Sequence, residues 1–157
     1  MLVNGSCSIS LGSINIDVLY QGPGHTDADL LVHLPELKLL IAGDLVLGPK
    51  YIPIVHGIQG GNCENLGRIL EKINAMSGSW DVLIPGHGPL CDLTAVHEKQ
   101  EYIRLLKEGV RAARQSGLDL EQIKASLSIE RFRNHIFYEF AHTNNIEAAW
   151  HEAGSWP

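Results

Sequence analysis

The chain has 157 residues, 45% of them hydrophobic and 19% charged, with a formal net charge of −6 at pH 7. That length suits one domain and that balance supports a packed core, while the acidic charge without any Lys/Arg cluster argues against nucleic acid as a partner. No apolar run is long enough to cross a bilayer, which argues against a membrane. The N-terminal Met1-Leu2-Val3-Asn4-Gly5 lacks a charged region followed by an apolar one, so no secretory signal is visible. A cytoplasmic location is expected, with a periplasmic one open to a longer parent.

Short β-branched stretches over 8–12 and 13–20, split by a Gly-Ser turn, read as strands. Strands over 29–34 and 38–42 flank Pro35-Glu36, where proline presets a hairpin turn. Residues 48–62 form a loop rich in Gly and Pro. Leu66, Ile69, Leu70 and Ile73 then recur at helical spacing, with Gly78 as the stop. A short buried strand over 81–84 follows. Val96, Ile103, Leu106, Val110 and Ala113 line a long helix that Gly117 ends. Asp119 and Gln122 have capping-box spacing and open a short helix over Ile123 and Leu127. Asn144 or Asn145 is expected to cap a last helix through Ile146, Ala149 and Trp150, stopped by Gly154. The expectation is a single α/β (α+β) domain over 1–157, with the sheet and its ligand loops in 1–91 and a helical segment in 92–157.

Three phrases share one pattern: an apolar strand, a glycine, then a metal-ligand residue. The strand over 14–20 runs toward Gly24-His25, that over 38–42 into Gly43-Asp44, and that over 81–84 toward Gly86-His87. Side chains just past the carboxyl ends of neighbouring strands can converge, and glycine lets the backbone turn sharply there. His, Asp and His in that order point to a hard or borderline metal, zinc foremost. The three cysteines, Cys7, Cys63 and Cys91, are odd in number and irregularly spaced, so they form no disulfide framework. Cys91 reads as an ordinary reduced thiol despite following His87 closely.

Gly22-Pro23-Gly24-His25-Thr26-Asp27-Ala28-Asp29, Leu39-Leu40-Ile41-Ala42-Gly43-Asp44-Leu45-Val46 and Val82-Leu83-Ile84-Pro85-Gly86-His87-Gly88-Pro89 resemble the second half of a metallo-β-lactamase-fold hydrolase. The resemblance covers 11–89 in order, context and element type. The stretch from Asp92 onward is similar in pattern to helical C-terminal segments of some branches. The first-half ligand motif of that family, H-x-H-x-D-H, does not occur in the chain. The implied fold is one β-sheet-plus-helices half of an αββα sandwich, a truncated domain by the family's standard.

That resemblance implies zinc, as one or two ions, with iron or manganese as alternatives. His25 would serve one metal and His87 the other. Asp44 would be the bridging carboxylate and the catalytic residue, and a metal-bound hydroxide would attack a small-molecule substrate. Thr26 is expected to orient its turn. Asp27 and Asp29 are expected either to fix the ring of a ligating histidine or to serve as loop and strand-start residues. His56, in the 48–62 loop, is a candidate for substrate contact. His33 reads as a satisfied strand position, and His97 and His151 as solvated helix positions. His135 and His142 flank an aromatic stretch over 132–140 that reads as packing, with a pocket wall as the alternative. Trp80, Trp150 and Trp156 read as core or interface.

A lone half-sandwich would leave one apolar sheet face bare, which monomers rarely tolerate. The expected partner is a second copy of the chain, giving a homodimer, or a chain carrying the first half. Two functions follow. One is a metal-dependent hydrolase completed by that association. The other is a non-catalytic, vestigial half-domain acting as a binding or structural module.

Overall fold

The computed structural model describes residues 5–154. Trp156 lies outside them. Period-2 alternation of apolar side chains builds the sheet. Strands β1 (Cys7–Leu11), β2 (Ile14–Tyr20), β3 (Leu30–Leu34) and β4 (Leu39–Gly43) pair antiparallel in sequence order. The turn between β3 and β4 is a single 3-10 turn, Pro35–Leu37, closed by Lys38 in the left-handed conformation. Helix α1 (Cys63–Ala75) then crosses over, and β5 (Val82–Pro85) pairs parallel to β4 at the sheet edge. Helices α2 (Leu93–Gln115), α3 (Leu120–Ser126) and α4 (Tyr138–Glu152) complete the described chain.

The expected helices form where their apolar stripes predict. Leu66, Ile69, Leu70 and Ile73 of α1 meet Val96, Ile103, Leu106 and Val110 of α2 in the same core as Leu31, Leu40, Ala42 and Leu83 of the sheet. Asn62 caps α1 by accepting the Asn65 N–H, and α1 ends at Ala75, shortly before Gly78. Asp119 and Gln122 form the capping box of α3, with Leu127 just beyond its last turn. Gly117 follows the end of α2 in the left-handed conformation, at φ 81°.

Helix α4 corrects the sequence expectation. It begins at Tyr138 rather than at Asn144 or Asn145. Phe137 precedes it at φ 71° and no side chain caps it. Asn145 is mid-helix and fully buried, between Ala141, Ala148 and Ala149. A helix start signalled by Asn was outweighed by a stripe of small residues at helical spacing, which packs against α1 and α2.

All the core residues of the sheet lie on one face. Leu31, His33, Leu40, Ala42 and Leu83 are buried. Their alternates Val32, Leu34, Leu39, Ile41 and Ile84 are half-buried, and Ile9, Leu11, Leu30 and Val82 are exposed. Cross-strand register brings Val32 beside Ile41 and Ile41 beside Ile84. The face away from the helices is therefore a continuous apolar surface. Trp80 is core, and Trp150 is half-buried beneath the Arg114 guanidinium, 4.4 Å from its ring.

Leu40 is wholly excluded from solvent at the centre of this packing. Leu40→Ala is expected to cost about 2–5 kcal/mol through the cavity it leaves, read as a lowered urea midpoint with an unchanged slope.

Candidate functional site

Direction of travel brings the three candidate ligands together. β2 and β4 are each antiparallel to β3, so they run the same way, and β5 is parallel to β4. The carboxyl ends of β2, β4 and β5 therefore share one edge of the sheet. Asp44 follows β4 immediately, His87 lies two residues after β5, and the 21–29 loop returns His25 to the same edge.

Gly86 makes the close approach of these turns feasible. Its N–H donates to the Gly43 carbonyl at 2.8 Å, and Gly43 itself sits at φ 52°. A Cβ at Gly86 would lie 1.9 Å from Asp44 Oδ1 and 2.8 Å from the Asp44 nitrogen. Only a residue without a side chain fits against the carboxylate.

Asp44 stands between the two imidazoles. Its Oδ2 is 3.4 Å from His25 Nε2, and its Oδ1 is 3.6 Å from His87 Nε2. The ring of His25 is oriented from behind. Its Nδ1 is 2.8 Å from the Ile54 carbonyl oxygen, and a carbonyl can only accept, so Nδ1 carries the proton. In the neutral ring, Nε2 then presents a lone pair to a carboxylate oxygen. Two acceptors facing each other repel unless a cation lies between them. Two donors on one tetrahedral zinc, each about 2.0–2.2 Å from it, stand about 3.4 Å apart. Each His–Asp pair fits that edge. Among the described residues, however, no group of three or more His, Cys, Asp and Glu side chains could hold a metal ion. The chain offers two separate two-donor pairs sharing Asp44, rather than one three-donor site.

The surroundings of the two pairs differ. His25 is buried, its carbonyl accepts the His56 N–H at 2.9 Å, and its ring meets the His56 ring edge-on at 4.6 Å. His56 also borders a cavity of about 360 Å³ with Asn144, Glu147, Ala148 and His151. His87 is half exposed, and Phe137 meets its ring edge-on at 5.5 Å. Tyr51 packs on the other side of Phe137 at 5.3 Å.

The remaining candidates sit nearby in supporting roles. Asp29 accepts the Thr26 N–H at 2.7 Å and the Thr26 hydroxyl at 2.9 Å, so this pair braces the turn after His25 and does not touch an imidazole. The Asp27 backbone receives the Tyr20 hydroxyl and donates to the Gln59 carbonyl. The role expected of a carboxylate behind His25 is filled by the Ile54 carbonyl, which no side-chain pattern announces. Asn145 and Phe137 were also missed as neighbours of the site. Within the aromatic stretch, Phe132 packs on buried Tyr102 and His142 stacks on Tyr138, while Phe137 alone reaches a candidate ligand. His33 is buried and contacts the Ser79 carbonyl at 3.1 Å, and His97 and His151 are exposed. Burial raises the Cys91 thiol to about 11, which keeps it protonated and poor as a metal ligand.

No family model matches the chain. Its sequence is 24% identical over 85 residues to a metallo-β-lactamase type 2 from Bacillus cereus, covering 54% of this chain and 33% of that protein. In structure it resembles a metallo-β-lactamase from Pontibacter korlensis, with a TM-score of 0.58 and 20% identity, over 65% of this chain and 47% of that one. It also resembles a stereoselective inverting sec-alkylsulfatase from a Pseudomonas species, with a TM-score of 0.77 and 15% identity, over 96% of this chain and 26% of that one. The chain has a metallo-β-lactamase fold relationship of partial coverage. It spans a third of the curated relative's length and between a quarter and a half of the two solved structures'.

Gly86→Ala is expected to push Asp44 from between the two rings and to destabilise the chain by about 1–3 kcal/mol. The melting temperature should fall by several degrees, and the imidazole resonances of both His25 and His87 should shift. An unchanged melt would mean that the two turns approach less closely than described.

Proposed function

We propose that this chain supplies one ligand set, His25, Asp44 and His87, of a zinc-dependent hydrolase site that a second protein segment completes. One observation carries the proposal: Asp44 offers one oxygen to each of two histidine nitrogens, and the His25 ring is held by the Ile54 carbonyl with Nε2 toward the carboxylate. The fold relationship and the names of the matched hydrolases agree with the hydrolytic reading.

The residues divide the work. His25 would hold one ion through Nε2 and His87 the other, with Asp44 bridging. When bound, zinc would lower the pKa of a water toward 7 and polarise a carbonyl, phosphoryl or sulfuryl group of a small-molecule substrate. The Ile54 carbonyl keeps His25 in the ligating tautomer, and Gly86 admits the bridging carboxylate. His56, whose ring meets that of His25, would contact the substrate, and Phe137 and Tyr51 would form an apolar wall near His87.

Two donors per ion are too few for a zinc site, which takes three protein ligands and a water in catalytic centres. The missing ligands would therefore come from another segment, and the bare apolar face of the sheet supports docking of that segment beside the site. A second copy of the chain, or a chain bearing the first half of the fold, would cover Val32, Ile41 and Ile84 and bring its own ligands to the same edge.

Zinc per chain, measured by elemental mass spectrometry across a gel-filtration profile, tests this. Zinc is expected to co-elute with a dimer, or with a complex with the first-half chain. Asp44→Ala should abolish it without changing the elution volume, whereas Ile41→Lys should release both zinc and partner. Metal-free assemblies after incubation with zinc would refute the proposal.

A further inference from the structure

Asn145 is the most deeply buried uncharged polar side chain in the helical layer, and every polar atom of its amide is used. Its Oδ1 accepts the Val55 N–H at 2.9 Å. Its Nδ2 donates to the Pro53 carbonyl at 2.8 Å and to the Tyr102 hydroxyl at 3.0 Å. The partners fix the amide's orientation, because an N–H must meet Oδ1 and a carbonyl must meet Nδ2.

The bond to Val55 reaches the site through a single rigid unit. The Val55 N–H and the Ile54 C=O belong to one peptide group, and no described peptide is cis. In a planar trans peptide these two groups point in opposite directions. One side of the plane faces Asn145, and the other faces His25 Nδ1 at 2.8 Å. Rotation of that plane by a few tens of degrees would take the carbonyl away from the ring. The Asn145 amide grips the plane by its N–H and anchors the preceding peptide by its carbonyl, so such rotation breaks the buried Val55–Asn145 bond along with that between Ile54 and His25. Bonds in series also polarise one another, which strengthens the acceptor that His25 meets.

The far end of the network is satisfied as well. Tyr102 Oη is 2.8 Å from His142 Nδ1, and His142 Nε2 is 3.1 Å from the Leu127 carbonyl. The Leu127 carbonyl requires the proton on Nε2, so His142 Nδ1 accepts from Tyr102. Burial lowers the basicity of His142, which agrees with a neutral ring. The chain of donors runs from Asn145 through Tyr102 and His142 to Leu127, with no buried atom of it left over.

We infer that Asn145 is a positioning residue for His25, acting through the Ile54–Val55 peptide plane to hold the imidazole as the Nδ1–H tautomer with Nε2 toward Asp44. The benefit to a bound metal rests on the zinc reading above; the positioning of the ring does not.

The test is the tautomer of His25 in the metal-free protein, read by long-range proton–nitrogen NMR of the imidazoles and assigned with His25→Gln. Wild-type His25 is expected as the Nδ1–H form. Asn145→Ala should convert it to a mixture of tautomers, and so should Asn145→Asp, whose second oxygen would face the Pro53 carbonyl and push that backbone away. Tyr102→Phe removes the outer part of the same network and should leave His25 unchanged even where stability falls. Asn145→Leu, which preserves volume, replaces the alanine variant if that does not fold. In zinc titrations Asn145→Ala should weaken binding about 10–100-fold, as loss of an orienting partner does, while Tyr102→Phe should not. An unaltered tautomer in Asn145→Ala overturns the inference. So does an equal effect of Tyr102→Phe, which would mean general loosening. Should the wild type bind no zinc, the zinc reading fails while the tautomer result still decides the role of Asn145.

Discussion

The arrangement at the sheet edge depends on one hydrogen bond, that between His25 Nδ1 and the Ile54 carbonyl. A carbonyl cannot donate, so the bond decides which nitrogen of the ring is free. In the neutral ring that free nitrogen faces Asp44, an arrangement that a cation between the two would complete. The surrounding backbone maintains it at three points: His56 N–H on the His25 carbonyl, Gly86 N–H on Gly43, and Gly48 N–H on the His87 carbonyl.

Strand direction turns these local bonds into a site. The sheet is mostly antiparallel, yet the three strands that end in candidate ligands all run the same way. The crossover through α1 makes this so, because a parallel pair needs a long connection and a hairpin would have reversed β5. The same helices that effect the crossover cover one face of the sheet and leave the other apolar and uncovered. The shared edge of the candidate ligands and the uncovered apolar face are therefore consequences of a single topological choice.

Much of this was legible in the sequence. The alternating strands, the stripes of α1 and α2, and the capping box at Asp119 depend on spacing alone, and spacing is local. The three strand–glycine–ligand phrases were legible for the same reason. Three features were not. Ile54 acts through its backbone, so its side chain gives no sign. Phe137 adopts a left-handed conformation that only tertiary packing imposes on such a residue. Asn145 was visible but ambiguous, because asparagine is a common helix cap. Its spacing from Ala141, Ala148 and Ala149 placed it on a buried stripe, and a polar residue on such a stripe signals a buried network rather than a helix start.

The two histidines differ in how much of their placement the chain itself provides. His25 is buried and held through ring, carbonyl and neighbouring imidazole, so little freedom remains to be lost when it gains a ligand partner. His87 has half its side chain in solvent and is bounded on one side by Phe137. On this basis the His25 side is held by the helical layer, through the peptide that Asn145 grips, and the His87 side is left more open by this chain.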